Sequence, residues 1–252
     1  LKVVSVSEKD IDCTLIPLFL QYQYVHSPGT IYKTIKKLEQ GHYAELNLES
    51  REFRKKNYWD FVPQINTGIS FEDAKAQLKD LLYDAVKIRL RSDVPYSAFL
   101  SGGIDSSMIC SIVAEIAGGG FTAYTIGYEN AAFDESKFAV ETAKKLGIKH
   151  HFEIIKPKLF DNIETIASWF GEPFADSSAL PTYAVSKITS QQYKVVITGD
   201  GGDEIFAGYN SYDYIRSGME GAPPSNIAGL RIPEKIRNML RKTGLFPGEN
   251  YK

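Results

Sequence analysis

The chain has 252 residues, 43% hydrophobic and 24% charged, enough to bury a sizeable core in one main domain. A formal net charge of −2 offers no basic face to a nucleic-acid backbone, so phosphate recognition is expected only at a local site and for a small ligand. No apolar run approaches the roughly 20 residues that span a bilayer, the first residues show no charged-then-apolar segment, and Cys13 and Cys110 have neither disulfide-framework nor zinc spacing; a cytoplasmic location is expected.

Residues 10–25 carry apolar groups at helical spacing up to the Pro28-Gly29 break, which predicts a first helix. Residues 42–59 alternate around the polar pair Glu49-Ser50 and predict a β-hairpin. After a linker at 63–70, the segment from Phe71 repeats apolar residues every three or four positions, with Ser70 as N-cap and Asp73 three residues on. From Val94 onward short apolar strands (95–100, 121–127, 149–155, 194–198) alternate with amphipathic helices (105–117, 134–147, 178–191). That alternation predicts βαβ units and an α/β fold: a doubly wound, mostly parallel sheet with flanking helices. If the first three of these strands step outward and the fourth pairs on the other side of the first, strand order reverses between Leu100 and Thr198. Ligands of such sheets bind beyond the strand ends at that reversal. Beyond Tyr209 the pattern weakens, with a short helix expected at 232–240.

The string Leu100-Ser101-Gly102-Gly103-Ile104-Asp105-Ser106-Ser107 follows a strand and opens a helix. Gly102 and Gly103 allow a tight turn and close approach to an anion, Ser101, Ser106 and Ser107 bring hydroxyl donors, and the unpaired amides of the helix start add positive potential. The plainer alternative is a strand-to-helix turn in which Asp105 or Ser106 merely caps the helix. No Walker-type loop occurs. A second loop, Thr198-Gly199-Asp200-Gly201-Gly202-Asp203-Glu204, ends another strand. Its three carboxylates repel one another unless they are solvated or share a hard cation such as Mg²⁺. Asp105, Asp203 and Glu204 are candidate ligands, against the alternative of a solvated acidic turn at a helix start.

The phosphate loop resembles that of the ATP pyrophosphatases. Together with GEPFADSSALPTY from Gly171 and TGDGGDEIFAGY from Thr198, it resembles the synthetase domain of glutamine-hydrolysing asparagine synthetases. Upstream, Pro28-Gly29-Thr30-Ile31-Tyr32, Gly41-His42-Tyr43 and Tyr58-Trp59 are similar to the connection that follows the glutaminase domain in that family. The likeness runs to Tyr214 and then fades. It implies an adenine nucleotide alpha hydrolase-like fold of ATP pyrophosphatase type, with 1–69 as connecting region and 70–252 as a C-terminally incomplete synthetase domain. Leu100 and Ile126 would flank adenosine, and Thr198 and Gly199 would touch it through the backbone. Ser101, Gly102, Gly103, Asp105, Ser106 and Ser107 would hold the phosphates. Asp105 and Asp203 would bind Mg²⁺, and Glu204 with the 172–178 loop would face the acceptor.

The implied reaction adenylates the side-chain carboxylate of aspartate with ATP, releasing pyrophosphate. Ammonia from a glutaminase domain then forms asparagine, AMP leaving. A related amidating or β-lactam-forming enzyme, or a non-catalytic ATP-binding module, is the alternative; a homodimer is left open. The family's N-terminal cysteine nucleophile and a later lysine have no counterpart here, so a fragment is expected, doubtfully active by itself. Cys13 and Cys110 are expected in the core, and His150-His151 as a solvated or structural pair.

Overall fold

The structure, a computed structural model, describes residues 6–128, 136–155 and 163–212. It divides into two units, residues 1–199 and residues 200–252. Among the described residues no helix is long and apolar enough to cross a membrane.

The first unit opens with two 3-10 turns, Glu8–Asp10 and Cys13–Leu15, and a helix α1 at Ile16–Tyr22. The helix expected over 10–25 is therefore confined to its middle. Asp12 accepts from the Thr14 amide and hydroxyl at 3.1 and 2.6 Å, and Ile11 forms an antiparallel bridge with Tyr32. Pro17 occupies the first turn of α1, where its missing amide is harmless. Gln23, in the left-handed region at φ 68°, ends it. Cys13 lies exposed in the second 3-10 turn, which corrects its expected place in the core; that expectation needed a longer helix.

The predicted hairpin is present as β1 (His42–Leu46) and β2 (Phe53–Asn57), antiparallel, with Leu46 opposite Phe53. Asn47 Oδ1 accepts from the amides of Glu49 and Ser50, both at 2.9 Å, and so builds the turn. Its alternating pattern buries no full face, for Leu46 and Phe53 stand exposed. Helix α2 spans Phe71–Arg89 and starts as expected, Ser70 Oγ accepting from the Asp73 amide at 3.1 Å.

Four parallel strands follow: β3 (Tyr96–Phe99), β4 (Thr122–Tyr128), β5 (Lys149–Ile155) and β6 (Val195–Ile197). They lie in the order β5-β4-β3-β6. The first three step outward, and β6 pairs with the far side of β3, Ala98 opposite Ile197. The reversal anticipated between Leu100 and Thr198 is thus present. Helices α3 (Ile104–Ala117), α4 (Ser136–Leu146) and α6 (Ala179–Thr189) match the predicted ones closely within the described residues. Helix α5 (Ile163–Phe170) was not anticipated. The helix expected at 232–240 lies outside the described residues.

Parallel sheets are covered on both faces, and the central strands β3 and β4 are buried over consecutive residues, whereas β5 at the edge is largely exposed. On one face Ala98, Ala123 and Ile197 pack with Cys110, Ile112 and Val113 of α3, Ala139 and Ala143 of α4, and Val86 of α2. Four alanines let the helices lie close to the sheet. On the other face Tyr124 and Thr122 reach the end of α6, their hydroxyls bonding Gln192 and Tyr193 at 3.2 and 3.1 Å. Helices on both faces make the sheet doubly wound.

Candidate nucleotide site

The site begins where β3 stops. Phe99 is its last residue, and Leu100, only 2% exposed, anchors the chain beneath the loop. Helix α3 starts at Ile104 with Gly103 as N-cap and no side-chain cap. Neither Asp105 nor Ser106 caps the helix, so the plainer reading of this turn fails on that point. First-turn amides have no partner inside an α-helix, and Ser107 N is the first to bond back, to Gly103 O at 3.3 Å. The preceding amides point their partial charge outward, as an anion requires.

The serine hydroxyls brace the loop itself. Ser101 N donates to Ser106 Oγ at 3.0 Å, the two hydroxyls lie 2.7 Å apart, and Gly103 N donates to Ser101 Oγ at 3.1 Å. Ser107 Oγ donates to Gly103 O at 2.8 Å. The shape of the loop is thus fixed by its own hydroxyls, which take up the Ser101 and Gly103 amides and leave the first-turn amides of α3 as the ones to meet an anion.

Loop 198–199 comes from β6 and packs directly on this helix start. A Cβ on Gly199 would lie 2.9 Å from Ser106 N and 3.1 Å from Asp105 C. Only glycine permits that approach of backbone to backbone. The contact places Thr198 and Gly199 beside the phosphate loop, at the strand-order reversal. Ile126 sits on β4, the strand on the other side of β3, and is half-buried. Leu100, Ser101–Ser107, Ile126, Thr198 and Gly199 therefore line the carboxyl ends of three adjacent strands.

Asp203 and Glu204 belong to the second unit, in the short helix α7 (Gly202–Phe206). Gly201 precedes it at φ 93°, a conformation that requires glycine. The segment Asp203–Tyr209 closes on itself. Gly208 N donates to Asp203 O at 2.9 Å, and a Cβ on Gly208 would overlap Asp203 Oδ1. The Tyr209 hydroxyl donates to Glu204 Oε1 at 2.7 Å. That bond holds the Glu204 carboxyl below the usual carboxylate range and pushes the Tyr209 phenol up to about 12.

Glu172 stands differently from its expected place at the acceptor. One oxygen accepts from the Ile31 amide at 3.1 Å and the other pairs with Lys37, whose ammonium also donates to Val25 O at 2.6 Å. With Tyr32 Oη donating to Gly171 O at 3.0 Å and Ala175 N to Gln23 O at 2.9 Å, this carboxylate fastens the 23–37 segment to the loop before α6. Sequence reading missed Lys37 in this role, because its partner Glu172 is remote in the chain.

The asparagine synthase family model matches residues 77–249. The chain belongs to this family. A candidate glutamine-hydrolysing asparagine synthetase 2 of Methanocaldococcus jannaschii is 37% identical over 228 residues, covering 86% of this chain and 43% of that protein. The glutamine-hydrolysing asparagine synthetase 1 of Bacillus subtilis is 34% identical over 243 residues, covering 94% of this chain and 36% of its own. The chain thus spans about two-fifths of the length of these curated relatives. A Penicillium rubens relative named amidase chyE is 31% identical over 227 residues, covering 82% of this chain and 33% of that protein.

Among solved structures, a glutamine-dependent NAD+ synthetase from Acinetobacter baumannii in complex with ADP is similar at TM-score 0.39 and 18% identity, over 78% of this chain and 42% of that one. That likeness is too distant to add to the fold described above.

Proposed function

We propose that this chain is the ATP-using part of an amide-forming ligase. The observation that carries the reading is the contact of Gly199 with the start of α3, which joins two strand-end loops around one set of outward-pointing amides. The triphosphate would rest on the amides and hydroxyls of Ser101–Ser107. Adenosine would lie between Leu100 and Ile126 and against the backbone of Thr198 and Gly199. Holding the α-phosphate in a fixed, positively polarised cradle suits attack by a carboxylate, a step that asks for positioning and charge neutralisation and for no protein nucleophile. The products of that step are an acyl-adenylate and pyrophosphate; ammonia then displaces AMP.

Mg²⁺ fits the donor set: Asp105 offers hard oxygen ligands beside the phosphates. Among the described residues no three His, Cys, Asp or Glu side chains are grouped to hold a metal unaided, so such an ion would draw further ligands from the nucleotide. We assign Asp203 and Glu204 to the same chemistry on the strength of the family motif. When bound, the ion would neutralise the leaving pyrophosphate.

Aspartate is the proposed acceptor, with ammonia supplied by a glutaminase domain of the longer protein. Residues 1–69 are the proposed connection to it, ahead of a synthetase domain from residue 70, and the cytoplasm is the proposed location. The relative named an amidase favours a second reading in which the same adenylation acts on another carboxylate. ATP–pyrophosphate exchange separates them: exchange that depends on aspartate is expected, and exchange with another carboxylate but not aspartate would overturn the asparagine assignment. Calorimetry with Mg-ATP tests the underlying site, Asp105→Ala being expected to weaken binding at least tenfold, the scale of losing one charge-assisted contact.

A further inference from the structure

His150, the second residue of β5, takes no part in the chemistry above, yet it is tied to the phosphate loop. Its Nε2 lies 2.8 Å from Thr125 Oγ1. Thr125, 5% exposed on β4, in turn donates its hydroxyl to Leu100 O at 2.5 Å. A threonine hydroxyl has one proton, and a backbone carbonyl can only accept. The proton must point to Leu100, so His150 must donate from Nε2. In the neutral ring this fixes the tautomer with Nε2 protonated and Nδ1 bare. Burial, and then the neighbouring His151, lower the pKa of His150 and favour that neutral form.

The carbonyl so held belongs to the first peptide unit of the phosphate loop. The amide of the same peptide, Ser101 N, donates to Ser106 Oγ at 3.0 Å. Leu100 N meanwhile donates to Tyr124 O at 3.0 Å, the last rung toward β4. The Leu100–Ser101 peptide plane is therefore pinned at its oxygen by β4 and at its nitrogen by α3, just where the chain leaves the sheet. Rotation of this plane would turn Ser101 and Gly102 together, and with them the amides that face the anion.

The geometry points to Thr125 and His150 as positioning residues for the nucleotide, acting through the Leu100 carbonyl to set the orientation of the phosphate loop. This inference rests on the ATP reading given above. It predicts that nucleotide affinity depends on the hydroxyl at position 125 and on a donor at position 150, not on their bulk.

The test measures Mg-ATP dissociation constants by calorimetry on this chain and on four variants, with circular dichroism to count only folded protein. Thr125→Val should weaken binding about tenfold, as expected for an orphaned buried partner, whereas Thr125→Ser should stay within about threefold of the parent. His150→Gln, which keeps a donor, should bind better than His150→Phe. In the parent, nitrogen-15 NMR should find the His150 ring protonated at Nε2, and Thr125→Val should abolish that preference. Equal affinity in folded Val and Ser variants, or an Nδ1-protonated ring in the parent, overturns the inference. A parent chain that binds no Mg-ATP overturns the nucleotide reading and this inference with it. A parent that binds while the Val and Ser variants do not differ overturns this inference alone.

Discussion

At Gly199 a single hydrogen in place of a methyl group decides whether two backbones can touch. The Cβ of Gly199→Ala would press on Ser106 N at 2.9 Å and on Asp105 C at 3.1 Å. Both are backbone atoms at a helix start, and neither can step aside without moving the loop. The variant should remain folded by circular dichroism and lose at least tenfold in Mg-ATP affinity, in the range seen when a site is displaced by about an ångström. Gly208→Ala acts in the second unit by the same physics, chiefly on the Asp203 carboxylate; the expected result is loss of any exchange activity of the full-length protein together with weaker Mg-ATP binding. Cys110 makes a quieter prediction. Burial pushes its thiol up to about 12, whereas in the unfolded chain it titrates as an ordinary thiol. Between the ordinary thiol range and about pH 12 the folded state binds more protons, so stability should fall as pH rises through that window. Cys110→Ala should flatten this part of a denaturation-versus-pH profile, and a thiol reagent at pH 8 should label Cys13 while the native fold shields Cys110.

At the scale of elements, the strand ends were legible because their composition is local. A strand of apolar residues followed by Gly-Gly and serines needs only adjacent positions to announce a turn over an anion. The fastening of the 23–37 segment was not legible. Ile31 and Glu172 are 141 residues apart, and nothing in either neighbourhood marks the other as partner. The chain of bonds from His150 to Leu100 was hidden for a related reason: it depends on the register of β4 against β5, which pairs Ala123 with His150 and so sets that ring beside Thr125. The error at α1 was also local in origin, apolar spacing outweighing Pro17 and the Asp12 turn. Glu172→Ala should leave the Ile31 amide and the Lys37 ammonium without their shared acceptor. We expect a loss of about 1–3 kcal/mol and earlier proteolytic cleavage between residues 23 and 40, read by mass spectrometry.

For the first unit as a whole, stability resides in the face of the sheet covered by α2, α3 and α4. Val113 and Cys110 are wholly buried there, and Ile112 is 5% exposed. Ile112→Ala should cost about 2–5 kcal/mol, measured by urea denaturation, well beyond what any surface change in β1 or β2 would do. The two-stranded hairpin is the counterpart of that core. A sheet of two strands consists entirely of edges, each with a row of unpaired amides and carbonyls, and here Leu46, Leu48 and Phe53 are 57%, 85% and 63% exposed beside them. With a net charge of only −2, little long-range repulsion keeps one molecule from another. The colloidal behaviour of this chain should accordingly be governed by its hairpin. Light scattering should rise with concentration, and Leu48→Lys should suppress the rise without altering the unfolding midpoint.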